Sequence, residues 1–179
     1  RGISGEDTEG IRSVLPDIRV GITYENGAQH VLLNGEDVSS EIRTPEIAYY
    51  ASRVSAVPEV REFLLNTQRD MAKNGNILMD GRDIGTTVFP DAELKIFMTA
   101  RPSVRARRRY DELRAKGDEV SYEEILQNVL SRDKADMTRA ISPLRKADDA
   151  VVLDNSCMTV AEQMEWFEKE FRRAIGDGR

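Results

Sequence analysis

Apolar and polar residues alternate over residues 18–24: Ile18, Val20, Ile22 and Tyr24 fall on one side, Arg19, Gly21 and Thr23 on the other. A period of two predicts a half-buried strand. Asn26-Gly27 supplies a tight hairpin turn, residues 29–33 read as the return strand, and Asn34-Gly35 marks a second turn leading to Val38. Residues 18–39 are therefore expected to form a small antiparallel β insert. The stretch before it, residues 1–16, mixes acidic, Gly and Ser residues with scattered apolar ones and predicts no element.

Beyond the insert the period lengthens. Thr44-Pro45 puts a capping side chain before a proline suited to the first helical position, and Ile47, Ala48, Ala51 and Val54 recur on one face. Pro58 opens a second helix with Val60, Phe63, Leu64 and Met71 as apolar positions, ending near Asn74-Gly75. Ile77-Leu78-Met79 reads as a short buried strand, residues 94–98 as another and residues 150–153 as a third. Pro102 opens a helix over residues 103–116. Ser121-Tyr122-Glu123-Glu124 and Thr159-Val160-Ala161-Glu162 are capping boxes, the first ahead of Ile125, Leu126, Val129 and Leu130, the second ahead of Met164, Phe167 and Phe171. Strands alternating with helices predict a parallel α/β architecture.

Composition narrows the class. A length of 179 residues suits one domain, or a domain with a small insert, and 40% hydrophobic with 32% charged residues is the balance of a globular chain. No apolar run approaches a membrane span and no signal-peptide segment opens the chain, so a cytoplasmic protein is expected. Cys157 and His30 are each alone, which excludes a disulfide framework, a cysteine metal cluster and any mechanism built on several histidines. A net charge of −6 argues against general coating of nucleic acid. The chain opens on Arg1-Gly2-Ile3 rather than on methionine and reads as a processed chain or a fragment.

Three stretches carry candidate chemistry. Asp80-Gly81-Arg82-Asp83-Ile84-Gly85-Thr86 follows an expected strand directly, and open α/β sheets bind ligands at the carboxyl ends of their strands. An aspartate there can orient Mg2+ or its water, and the neighbouring arginine can fork onto a phosphate. The same residues also fit an ordinary turn with an internal Arg–Asp pair. In the second stretch Arg132, Asp136 and Arg139 recur at i, i+4 and i+7, one helical face. Two guanidinium groups around one carboxylate suit a phosphate clamp beside an acceptor for a sugar hydroxyl, and equally a solvated helix end of mixed charge. The third is Arg101, Arg105, Arg107, Arg108 and Arg109. Arg105, Arg108 and Arg109 share a face that could meet ATP or RNA. Asp111, Glu112 and the acidic helix after Ser121 balance that cluster, so a solvated helix accounts for most of it. His30 belongs to the hairpin surface, Cys157 to packing after a strand, and Trp166 to a polar stretch of the last helix. No G-x-x-x-x-G-K-[ST] phosphate loop occurs in these residues.

Taken in order, Ile42-Arg43-Thr44-Pro45-Glu46, Pro58-Glu59-Val60-Arg61, Gln68-Arg69, Asp80-Gly81-Arg82-Asp83-Ile84-Gly85-Thr86-Thr87-Val88-Phe89-Pro90-Asp91-Ala92, Arg105-Ala106-Arg107-Arg108-Arg109-Tyr110 and Ser142-Pro143-Leu144 closely resemble bacterial cytidylate (CMP) kinases. The likeness runs through essentially the whole chain, the β insert included. It implies a P-loop nucleoside-monophosphate-kinase-like α/β fold: a parallel sheet with flanking helices, the small antiparallel insert and a helical lid. It implies an NMP-binding region over residues 1–75, with the insert at 18–39, and a core α/β region over 76–179, with the lid at 117–145. The implied reaction moves a phosphoryl group from ATP to CMP or dCMP, giving (d)CDP in pyrimidine nucleotide metabolism, with Mg2+ accompanying ATP. Ser52, Arg61 and Asp83 match the cytosine-contacting set; a carboxylate suits the N4 amino group that uracil replaces with a carbonyl. Arg82, Arg132 and Arg139 match arginines around the acceptor and transferred phosphates, and Asp136 matches the ribose-contacting acid. Arg108 matches a lid-side arginine near the ATP base. Asp80 matches the strand-end aspartate near magnesium, acting through water.

Kinases of this family open with a strand, a P-loop, a helix and a second strand carrying Asp-x-Gly-x-x-Tyr-Arg, and Arg1 matches a point beyond all of these. The expectation is a chain without its first βαβ unit, about 30 residues or more. Such a chain is expected to be inactive by itself, because the lysine and amides that cradle ATP phosphates go with that unit. The first strand of such folds lies mid-sheet, between residues 77–79 and 94–98. A chain without it is expected to be destabilised, or oligomeric through the gap, and the full-length kinase monomeric. The residues leave two alternatives open: a CMP-binding remnant without catalysis, and a nucleic-acid-binding protein acting through the arginine-rich helix. On the kinase assignment the expected partners are CMP, dCMP and ATP, with neither nucleic acid nor a membrane.

Overall fold

Asn26 and Gly27 take φ of 52° and 78°, and Asn34 and Gly35 take 52° and 90°. Paired positive φ values are what a two-residue hairpin turn demands, and Asn-Gly supplies them at least cost. The turns join β1 (Val20–Glu25), β2 (Ala28–Leu33) and β3 (Glu36–Asp37) into a three-stranded antiparallel sheet, running from Val20↔Leu33 to Glu25↔Ala28 in the first pair. The computed structural model describes residues 2–55, 57–73 and 75–176, the side chains of Pro45, Ala48 and Ser52 excepted. The chain divides into two compact units, Arg1–Ile77 and Leu78–Arg179.

In the first unit the short β3 is held by side chains as well as by its ladder. Asp37 Oδ1 accepts from the Ser39 hydroxyl and from the Ser39 N–H (2.9 Å), and Asp37 Oδ2 lies 2.6 Å from His30 Nδ1 on β2. The two bonds from Ser39, with the contact to His30, hold the Asp37 carboxyl down to about 2, from an ordinary 3.8. A depressed carboxylate stabilises the fold above its unfolded pKa, and that contribution is lost as pH falls through the folded value, here between about 3.8 and about 2. An acid titration followed by the Asp37 carboxyl carbon resonance is expected to show a midpoint near 2, moved upward in Ser39→Ala. A midpoint at 3.8 in the unaltered chain would contradict the clasp.

Beside its sheet the unit contains α1 (Thr8–Val14), α2 (Pro45–Val54) and α3 (Pro58–Ala72). Asp7 caps α1, an element the sequence pattern did not predict, by accepting from the Gly10 N–H at 2.9 Å. Thr44 caps α2 through the Ile47 N–H at 3.2 Å. The Ala48 side chain, expected on the apolar face of α2, and Asn74, expected at the end of α3, lie outside the described residues. Among the described residues of this unit Ile11 and Val60 are the buried apolar ones, and Arg12 pairs with Glu59 at 2.7 Å.

The expected buried strand at residues 77–79 does not form. Residues 76–80 have no regular structure, Ile77 is 42% exposed and Leu78 83%. An apolar triplet becomes a strand only where another segment meets its N–H and C=O groups, and no ladder reaches it among the described residues.

The second unit is α/β. Its strands β4 (Ile96–Thr99) and β5 (Val151–Asp154) run parallel, in register from Ile96↔Val151 to Thr99↔Asp154. A parallel pair needs a long crossover, here carrying α4 (Pro102–Ala115) and α5 (Tyr122–Thr138), which pack on each other. Ala106, Leu153 and Val88 are its most deeply buried apolar residues. The terminal α6 (Val160–Ile175) starts on a complete capping box: Thr159 Oγ1 accepts from the Glu162 N–H and Glu162 Oε2 from the Thr159 N–H. Cys157 is exposed rather than packed, because it lies past the end of β5 and faces the Arg101 guanidinium at 3.3 Å.

Candidate active site

The string from Asp80 to Val88 is neither a simple turn nor a helix. The Asp83 carbonyl accepts from the N–H groups of Thr86, Thr87 and Val88, and the Ile84 carbonyl from Phe89 at 2.7 Å, winding residues 84–88 into a single π-type turn. Such turns insert an extra residue and recur at functional positions. The Lys95 stem packs against the turn: a Cβ on Gly85 would stand in ordinary van der Waals contact with it, 3.4 Å away. Lys95 is almost wholly buried, and its Nζ donates to the Pro90 carbonyl and to Asp149 (2.6 Å). The turn carrying Asp83 is thereby tied to the start of β4.

Opposite it, α5 ends at Thr138. Arg139 is the cap residue, with extended backbone (φ −61°, ψ 144°), which corrects its expected place on the helical face of Arg132 and Asp136. The cause is the loop that follows. The Asp136 carbonyl accepts from the Leu144 N–H at 2.8 Å instead of continuing the helix, and Arg139 Nε donates to the Ser142 carbonyl at 2.7 Å.

The result is a convergence of charges within the second unit. Asp136 is 8% exposed. Arg82 Nε stands 2.9 Å from its Oδ2, in ion-pair rather than hydrogen-bonding geometry. Arg132 Nε approaches the same oxygen at 4.0 Å and Arg139 Nη1 approaches Oδ1 at 3.9 Å. Arg139 Nη2 also stands 3.9 Å from Asp83 Oδ1. Three guanidinium groups around two carboxylates leave one net positive charge, and a buried carboxylate is tolerated only with such company. Arg82 and Arg132 keep about half of their side-chain surface open to solvent, so an incoming anion can reach them. The cluster suits bidentate binding of phosphate oxygens.

Other sequence-picked residues lie elsewhere. Arg61 belongs to the first unit, where its Nη1 donates to the Ser55 carbonyl at 3.2 Å. Ser52 is on α2 of the same unit, and its side chain lies outside the described residues. Asp80 is exposed before the π-type turn. No group of three or more His, Cys, Asp or Glu side chains among the described residues could hold a metal ion. Arg108 is engaged within the protein: its Nη1 donates to Asn155 Oδ1 (3.0 Å) and its Nη2 to the Asn155 carbonyl (2.7 Å), tying α4 to the end of β5.

The arginine-rich helix finds partners for its other cations too. Arg107 stacks on Tyr122 at 4.6 Å and on Tyr110 at 5.4 Å, and Arg109 meets Glu112 at 2.9 Å. Arg105 grips Asp133 on α5. Asn155, buried and bonded to Arg108, to Gln163 and to the Thr99 carbonyl, has no signal in the sequence pattern; Asp133 had one, lying three residues before Asp136 on the same side of a helix.

Among the described residues no helix is long and apolar enough to cross a membrane. The sequence pattern of cytidylate kinases matches residues 4–173. The chain is 51% identical over 173 residues to the cytidylate kinase of Phocaeicola vulgatus, covering 96% of this chain and 76% of that protein. It is 53% identical over 171 residues to that of Bacteroides fragilis (94% and 75%), and 47% identical over 175 residues to that of Caldicellulosiruptor saccharolyticus (98% and 77%). Identity near one half, sustained over more than nine-tenths of the residues, leaves no room for a different fold or lineage: the chain belongs to the cytidylate kinase family.

Proposed function

We propose that this chain serves the transfer of a phosphoryl group from ATP to CMP or dCMP, and that the arginines around Asp136 are the phosphate site. The observation that carries the proposal is the convergence of Arg82, Arg132 and Arg139 on Asp136 within 4.0 Å. Phosphoryl transfer asks little covalent chemistry of a protein. It needs the attacking and leaving oxygens in line and positive charge aimed at the equatorial oxygens. Arg82 and Arg139 would hold the CMP phosphate and, with Arg132, the transferred group. Asp136 would keep the arginines gathered until substrate arrives and then accept from a ribose hydroxyl. Asp83 would accept from the cytosine N4 amino group.

Mg2+ arriving with ATP would neutralise phosphate charge, and Asp80 would touch its hydration shell. Residues 1–75 would form the NMP-binding region and residues 117–145, which contain α5 and carry Arg132 and Arg139, the lid. Arg108 would face the ATP base only after exchanging its bonds to Asn155. A polypeptide of these 179 residues and nothing more lacks a P-loop lysine, and it would bind CMP without turning it over at the usual kinase rates of about 1–100 per second.

Calorimetry with CMP, UMP and cytidine tests the proposal. CMP is expected to bind most tightly, by about tenfold or more over UMP for one well-made base contact. Equal affinity for all three would overturn it.

A further inference from the structure

Arg105 and Asp133 stand outside the residues assigned so far, and they join the two helices of the crossover. Arg105 Nε donates to the Ala100 carbonyl at 3.0 Å, its Nη1 to Asp133 Oδ1 at 3.0 Å, and its Nη2 to Asp133 Oδ2. One planar guanidinium thus fastens the residue after β4 to the last third of α5. A two-pronged fork fixes rotation as well as distance. Asp133 adjoins Arg132 and lies three residues before Asp136, so whatever sets the roll of α5 at Asp133 also sets where Arg132 and Asp136 are directed.

The charges agree with the geometry. The hydrogen bond from Arg105 holds the Asp133 carboxyl below its ordinary value, and the charges of Arg105, Arg82 and Arg132 lower it further against partial burial. Asp133 therefore feels two of the three arginines assigned to phosphate. The side chains of the pair are one-third and one-quarter exposed, so as an isolated ion pair it adds little stability. Its geometry does more than its energy.

We propose that the Arg105–Asp133 fork is a positioning pair for the phosphate site: it sets the roll of α5 so that Asp136 meets Arg82 and Arg132 is turned to the same anion. The pair touches no substrate atom and acts through Arg82, Arg132 and Asp136. The inference rests on the CMP assignment of the preceding section.

Cytidine and CMP differ only by the phosphate, so the ratio of their affinities reads the phosphate site alone. Calorimetry with both ligands on the unaltered chain, Asp133→Asn, Arg105→Lys and Asp133→Glu supplies that ratio, with a thermal melt of each. Asp133→Asn removes the charge, Arg105→Lys keeps charge but loses the fork, and Asp133→Glu keeps a carboxylate. The expected result is a fall of about tenfold or more in the CMP-over-cytidine ratio for the first two, the scale of a small misplacement of binding groups. Cytidine affinity should stay within about twofold and Asp133→Glu should retain most of the ratio. Arg105→Lys carries the test if Asp133→Asn fails to fold. A full ratio in either variant, or a lower melting temperature with both ligands weakened alike, would overturn the pair's role. No preference for CMP over cytidine in the unaltered chain would overturn the CMP assignment and this inference together.

Discussion

Arg82→Ala and Arg139→Ala are each expected to lower kcat/KM for CMP phosphorylation by about 10²–10³, the usual loss when one preorganised charge is taken from a developing transition state. The assay is made in a protein that carries a P-loop segment ahead of residue 1, so that the ATP side is complete. The two variants should part in stability. Arg82 is 43% exposed, and its removal should cost about 1 kcal/mol or less. The Arg139 side chain is 18% exposed and lies between the carboxylates of Asp136 and Asp83, whose side chains are 11% and 14% exposed. Its loss takes a counter-charge from Asp83 and leaves Asp136 with Arg82 and Arg132 alone, so it should cost more stability than Arg82→Ala. Arg114→Ala, exposed on α4, should change neither quantity. Similar losses at Arg114 would show that the cluster has no special place in catalysis.

Asp83→Asn is expected to shrink the preference for CMP over UMP by one to two orders of magnitude, since a good base contact carries about 1–3 kcal/mol of discrimination. A carboxylate can only accept, which suits the N4 amino group of cytosine and leaves the O4 of uracil facing an acceptor. An amide turns either way and accommodates both. The measurement is kcat/KM for the two nucleotides in the same P-loop-carrying protein. An unchanged ratio would remove Asp83 from base recognition and leave it as a partner of Arg139, 3.9 Å away.

Local structure was legible wherever one short-range cause decided it. The Asn-Gly turns, the period-two strands, the proline-led helices and the Thr159 capping box depend on residues within a turn of one another, and each stands where the pattern put it, to within a few residues. Residues 77–79 have the composition of a buried strand but lack the ladder that would make them one. The arginines at 132 and 139 were legible as candidates, whereas the helix end at Thr138 was not, because the Leu144 N–H, eight residues on, claims the Asp136 carbonyl.

The sequence by itself determined the family, through short strings in a fixed order, and the residue types a phosphate site requires. It determined the insert too, since Asn-Gly at two positions leaves the backbone little choice. Only the tertiary structure decided which arginines share one carboxylate and which are consumed by packing. Arg82 and Asp136 are far apart in sequence, and no periodicity joins them; the π-type turn, anchored by Lys95, brings them to 2.9 Å. Arg105, Arg107 and Arg108 read alike along α4, yet the fold gives them Asp133, two tyrosine rings and Asn155. The reason is physical: a guanidinium's role is set by the anions and acceptors within about 4 Å, and those are contributed by segments that only folding brings near.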